Sequence, residues 1–243
     1  MGKIFVVGMG PGDEKMMTLM ARQALEQSDV IVGYKTYIGL IKPLYPHKEY
    51  FENGMGGEAE RCRKAAELAR NEGKTVSVIC SGDAGVYGMA SPMLELLGEN
   101  EEIEVEVVAG VTAALSGGAE LGAPLSNDFC VISLSDLLTP PEVIIKRLKC
   151  AAEADLCMVL YNPSSRGRQG HLKKACSILL EKLPENTVCG YVRNIGRAGT
   201  EKKLCSLREL SAEETDMFTT VFIGNSSTRI INGKMVTVRG YKQ

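Results

Sequence analysis

Small residues gather wherever an apolar run stops in this 243-residue chain, and these are the positions able to hold a ligand. Gly8-Met9-Gly10-Pro11-Gly12-Asp13 follows the run Ile4 to Val7, and Ser81-Gly82-Asp83 follows Val76 to Cys80. Thr112-Ala113 comes after Val107-Val108-Ala109-Gly110, and Tyr161-Asn162-Pro163 closes the run Leu156 to Leu160. Glycines without a Cβ let the first turn bend sharply and present backbone N–H and C=O groups, while Pro11 stiffens it. Asp83 and Thr112 each also read as plain helix caps. Asn162 precedes a proline, which pushes it toward an extended backbone and sets its side chain at a strand end.

Spacing excludes several chemistries. A dinucleotide fingerprint would need glycine at position 13, where Asp13 stands. A phosphate loop would need Gly-Lys-Ser/Thr, and Gly33-Tyr34-Lys35-Thr36 carries an intruding tyrosine. The eight cysteines form no CxxC, and His47 and His171 lie far from any cysteine pair, so no metal site is expected. No Ser-His-Asp or Cys-His set stands out. Charged candidates remain. Glu58 and Arg61 in NGMGGEAERC read as a site edge or as the charged first turn of a helix. Ser135, Asp136 and Thr139 in SLSDLLTPPEVI are candidates for substrate contact, and Asp136 and Glu120 for proton transfer. Arg168, six residues beyond Asn162 in SSRGRQG, has the fork to grip a carboxylate, as do Arg193 and Arg197; Lys35 offers a point charge.

These turns need strands and helices behind them. Strand-like runs at 4–8, 30–32, 75–80 and 103–108 alternate with helical patterns at 58–72 and 88–98, which predicts a parallel sheet covered by helices on both faces. Residues 109–128 read as a helix leading into a linker. Runs at 129–134, 156–160, 188–193 and 219–223 follow, and Asn232-Gly233 joins a closing hairpin. The expectation is an α/β fold of two α/β domains, 1–112 and 113–243. The methionines fall mostly at helical spacing and read as core.

Net charge is −2, which leaves no basic excess to hold nucleic acid. No apolar run approaches a membrane span, and no secretory leader is evident. Cysteines inside apolar runs fit a reduced, cytoplasmic chain.

The ordered segments GMGPGD, CSGDAGVYGMA (80–90), GVTAALSGGAELGAPLSNDF (110–129), YNPSSRGR (161–168), YVRNIGR (191–197) and FIGNSST (222–228) resemble the tetrapyrrole (corrin/porphyrin) methylases. Within that family, GDAGVYGMA, LSDLLTP, YNP-S--R and GNSST are most similar to the subgroup acting at C-17 of precorrin-3B or cobalt-factor III in cobalamin biosynthesis. Ala84, where proline is usual, is shared with that subgroup. Pro141 stands where the subgroup usually has tryptophan, which removes any stacking at that point. The resemblance implies S-adenosylmethionine as methyl donor, bound in a cleft between the two domains. It implies donor contacts from Gly10, Pro11, Ser81, Gly82, Asp83, Val86, Thr112, Ala113, Asn162, Ile195 and Thr219, the last two through backbone atoms. For the tetrapyrrole it implies Arg168, Ser135, Thr139 and Glu58, with Ser165 matching the subgroup pattern, and it implies a homodimer. The implied reaction is methylation of a macrocycle carbon with ring contraction. A precorrin-4 C-11 enzyme or a diphthine synthase shares the donor motifs, but the former favours GDP and the latter lacks YNP-S--R. A non-catalytic nucleotide-binding module is the alternative of another class.

Overall fold

Alternation of side chains along the first runs gives one sheet two apolar faces, and each face is covered by its own helices. In the computed structural model, which describes residues 2–99, 102–164 and 169–241, the chain divides into two compact units, Met1–Thr112 and Ala113–Gln243. The first unit runs β1 (Lys3–Gly8), α1 (Leu19–Gln27), β2 (Val30–Tyr34), α2 (Lys35–Ile41), β3 (Glu49–Asn53), α3 (Glu58–Glu72), β4 (Thr75–Cys80), α4 (Ala90–Leu97) and β5 (Glu104–Val108). All five strands are parallel, in the order β3-β2-β4-β1-β5. Ile4, Val6, Val76 and Val78 pack under α3 and α4, while Phe5, Val7, Ile31 and Ile79 pack under α1 and α2. Residues that alternate along a strand thus feed opposite cores, as a sheet buried on both faces requires.

The second unit contains α5 (Ala113–Leu121), β6 (Gly122–Ala123), β7 (Phe129–Ser133), α6 (Pro141–Glu153), β8 (Cys157–Tyr161), α7 (His171–Leu179), β9 (Val188–Arg193), β10 (Glu201–Ser206), α8 (Leu207–Leu210), β11 (Thr219–Ile223), β12 (Thr228–Ile231) and β13 (Lys234–Thr237). Its larger sheet, β10-β9-β11-β8-β7, is mixed: of its neighbouring pairs only β7–β8 is parallel. The connection from β9 to β10 is too short for a helical crossover, so that pair is antiparallel. Helix α5 covers one face through Ala114 and Leu121 against Val159, Val192 and Phe222, and α6, α7 and α8 cover the other.

The stretch after α5 does not remain a linker. Gly122 and Ala123 pair in parallel with Met235 and Val236 of the closing hairpin, whose turn residues Asn232 and Gly233 have φ of 49° and 71°. The GNSST segment fastens this hairpin. Ser226 N–H and Oγ donate to the Asp155 carboxylate, Asn225 Nδ2 donates to Asp155 O at 3.1 Å, and Thr237 Oγ1 donates to Pro124 O at 2.6 Å. The methionines are only partly core: Met9, Met17, Met89 and Met93 are buried, but Met20 and Met55 lie exposed. Among the described residues, no helix is long and apolar enough to cross a membrane.

Candidate functional site

Parallel strands place the carboxyl ends of β4, β1 and β5 side by side, so the turns that follow them meet. The contact between them is made of backbone. Gly10 N–H donates to Gly82 O at 3.1 Å and Gly82 N–H to Gly10 O at 2.7 Å, an isolated antiparallel bridge between the two turns. Both glycines hold positive φ, 76° and 71°, which an L side chain rarely adopts. A Cβ on Gly110 would stand 2.1 Å from Gly82 O and 2.4 Å from Gly8 O, so three glycines are needed for the turns to close. The sequence reading had these backbone groups facing a ligand; the structure spends those of Gly10 and Gly82 on each other.

Asp83 completes the junction. Its Oδ1 accepts Gly85 N–H at 2.8 Å and its Oδ2 accepts Gly110 N–H at 2.9 Å. It is not the cap of α4, whose N-cap is Met89. Asp83 therefore ties its own turn to the turn after β5. Ser81, Val86 and Thr112 are half-buried beside this junction, Gly82 is buried, and Pro11 is buried in the facing turn. Below it, burial raises the Cys80 thiol from its ordinary 9.0 to about 11, so this cysteine stays protonated.

A second set collects at the carboxyl end of β8 in the second unit. Tyr161 Oη accepts Ala114 N–H at 2.7 Å, performing from β8 the work of an N-cap for α5. Asn162 follows with φ 55°, not the extended backbone expected before proline. Asparagine tolerates the left-handed region better than most residues, and its Nδ2 is held by Ser133 Oγ at 2.9 Å. Asn194, after β9, has the same conformation, with φ 53°. Ala113 is half-buried at the start of α5.

Other expected residues are engaged elsewhere. Ile195 is a core side chain against Val192 and Phe222. Thr219 is buried; its Oγ1 bonds Asp216 Oδ1 at 2.7 Å and its N–H donates to Asp216 O at 3.2 Å. Arg193 donates to Glu214 O at 2.8 Å and sits 3.3 Å from Glu201, so it braces its own loop and is not free for a substrate. Arg197 lies over the Phe218 ring. Glu58 is 2.9 Å from the buried Arg61, whose guanidinium also donates to Asn53 and Gly54 O; the pair orders the 53–57 loop. Glu120 carries Lys202 at 3.2 Å near the far end of α5, well along the helix from Ala114. Asp136 faces His171 at 3.5 Å, and Ser135 N–H donates to Ser133 Oγ at 3.3 Å. Thr139 is half-buried ahead of α6. Ser165 and Arg168 lie outside the described residues.

Sequence reasoning gave no role to Tyr161, Ser133 or His171. The first two were detectable only through partners 47 and 29 residues away. The residues at these strand ends offer small hydroxyls, one amide, one carboxylate and ordered backbone. That suits the polar edges of a nucleoside and an amino acid, and it contains no nucleophile–base pair. Among the described residues, no three His, Cys, Asp or Glu side chains group to hold a metal.

Comparison with known proteins agrees with this chemistry. The model of the tetrapyrrole (corrin/porphyrin) methylases matches residues 3–211. The probable cobalt-factor III C(17)-methyltransferase of Salmonella typhimurium is 46% identical over 97% of this chain and 98% of its own. The cobalt-factor III methyltransferase of Priestia megaterium is 43% identical over the whole chain, which spans 46% of that longer relative. The crystal structure of the methyltransferase CobJ superposes with a TM-score of 0.91 at 34% identity, covering 98% of this chain and 100% of that one. The chain belongs to the tetrapyrrole (corrin/porphyrin) methylase family.

Proposed function

We propose that this protein transfers a methyl group from S-adenosylmethionine to C-17 of cobalt-factor III or precorrin-3B, with contraction of the macrocycle. The observation that carries the reading is the junction of turns at Gly10, Gly82, Asp83 and Gly110, a rigid polar ledge at strand ends in a chain of this family. Gly10, Pro11, Ser81, Gly82, Asp83, Val86 and Thr112 form the first unit's contribution to the donor. Ala113, Asn162, Ile195 and Thr219 are the second unit's, with Ile195 and Thr219 restricted to backbone atoms. Arg168, Ser135, Thr139 and Glu58 are assigned to the tetrapyrrole.

The donor brings its own activated methyl and leaving group, so the protein's task is alignment and exclusion of water. Asp83 holds the 81–85 turn against Gly110, and Ser133 and Tyr161 hold Asn162 and the start of α5 in place. Asp136, paired with His171, is assigned to proton movement in preference to Glu120, whose carboxylate is taken by Lys202. Eight unpaired thiols favour a reducing cytoplasmic setting, and the family resemblance favours a homodimer, which light scattering checks.

The deciding experiment incubates the protein with S-adenosylmethionine and cobalt-factor III, or precorrin-3B, and weighs the product. A gain of one CH2 with formation of S-adenosylhomocysteine is the expected result. Calorimetric titration should show S-adenosylmethionine binding and no ATP or NAD binding; the reverse would make the chain a nucleotide module.

A further inference from the structure

Tyr87 is the one aromatic residue that the described backbone holds at positive φ, 54°, and its side chain is left largely in water, 56% exposed. A bulky residue in the left-handed region is a local strain, and strain persists only where surrounding structure enforces it. Here the enforcement is visible. Asp83 fixes the start of the turn through Gly85 and Gly110, and Gly88 sits so close that a Cβ there would lie 2.5 Å from Ala84 O. The rigid turn that anchors the proposed donor site therefore carries an aromatic ring outward at a cost to its own backbone.

Neighbouring loops extend the same ledge. Strands β3, β2 and β4 are consecutive and parallel, so the loops that follow their carboxyl ends leave the same edge of the sheet. Met55 follows β3 and is 61% exposed, Lys35 follows β2 as an exposed cation, and Tyr87 follows β4. A polarizable thioether, an aromatic face and an ammonium on loops from one sheet edge suit a flat, conjugated, polyanionic ligand. We propose that Tyr87 stacks on the macrocycle of the tetrapyrrole and sets its plane, with Lys35 answering a peripheral carboxylate. This inference rests on the methyltransferase reading and adds the residue that seats the substrate.

The test uses the full chain with cobalt-factor III and three proteins: wild type, Tyr87→Gly and Tyr87→Phe. Glycine accepts φ 54° without strain, so Tyr87→Gly should unfold at an equal or higher urea midpoint. Its KM for cobalt-factor III should rise about tenfold while calorimetric affinity for S-adenosylmethionine stays within about twofold. Tyr87→Phe should keep the wild-type KM, because the ring and not the hydroxyl does the stacking. An unchanged KM in Tyr87→Gly overturns the proposal. So does a parallel loss of S-adenosylmethionine affinity, which would put the ring on the donor. A lowered urea midpoint, or a change in mass by light scattering, overturns it by assigning the ring to packing or to a protein interface. Wild-type protein that neither binds S-adenosylmethionine nor methylates would instead defeat the methyltransferase reading, a result distinguishable from any of these.

Discussion

Replacing Asp83 separates a residue that builds the site from one that touches the ligand. Its carboxylate takes two backbone N–H groups, Gly85 at 2.8 Å and Gly110 at 2.9 Å. A bond from an N–H to a charged acceptor is worth about 1.5–3 kcal/mol. Gly85 is exposed, so its N–H turns to water and little is lost there; Gly110 is half-buried and lacks that freedom. Asp83→Ala should therefore cost about 2 kcal/mol of stability, mostly from Gly110. Asp83→Asn can keep its carbonyl on Gly110 while its amino group meets the exposed Gly85 N–H, a second donor that must turn to water, so it should cost about half as much, roughly 1 kcal/mol. Urea unfolding measures both, with affinity for S-adenosylmethionine followed by calorimetry. Affinity should fall in the same order, Asn less than Ala, because the turns separate. If Asp83→Ala unfolds at the wild-type midpoint yet binds S-adenosylmethionine tenfold more weakly, the carboxylate serves the ligand directly and the clamp argument is refuted.

Gly110→Ala should be worse than either, on the order of 3 kcal/mol, because its Cβ would enter Gly82 O and Gly8 O; Gly39→Ala, on an exposed helical position with nothing nearby, should gain about 0.5–1 kcal/mol, and both follow from the same urea assay. Tyr161→Phe should remove the cap from α5 and cost about 1 kcal/mol, seen as a lower urea midpoint. Burial raises the thiols of Cys80 and Cys205 to about 11 and Cys176 to about 12, from an ordinary 9.0, so the unfolded chain releases their protons first as pH climbs. The thiol contribution should thus be constant below pH 9 and fall, from pH 9 to about 11–12, by about 1.4 kcal/mol per pH unit per thiol, a slope that Cys176→Ala makes shallower.

Although the polar edge strands β3 and β10 and the two-residue β6 carry no apolar run, most strand positions and the closing hairpin were legible because apolar runs, alternation and Asn232-Gly233 are local signals. The mixed direction of the second sheet was not, since it depends on which strands pair, and pairing is decided by residues far apart in the chain. The site shows the same division. The turns at 8–13, 81–83, 112–113 and 161–163 were readable as places where a strand ends in small residues. What those turns do with their own polar groups was not: Gly10 answers Gly82, and Asp83 answers Gly110, across separations no motif records. Asn162 was misread because the rule for residues before proline speaks of backbone sterics, while Ser133 Oγ supplies the side-chain hold that favours the opposite conformation. Arg193 was misread because a cation near a strand end looks available until the 214–219 loop wraps it.

The pairing of β6 with β13 bears on the order in which the two units can close during synthesis. Every strand of the first sheet lies before residue 112, so that unit can close while the rest is still being made. The second unit cannot, because Gly122 and Ala123, at its beginning, wait for Met235 and Val236 more than a hundred residues later. Until then Pro124 O, the Thr237 partner, and the β6 edge stay unsatisfied in the nascent chain. The late strand thus acts as a clasp on the earliest piece of its unit, and that unit cannot finish folding until β13 has been made.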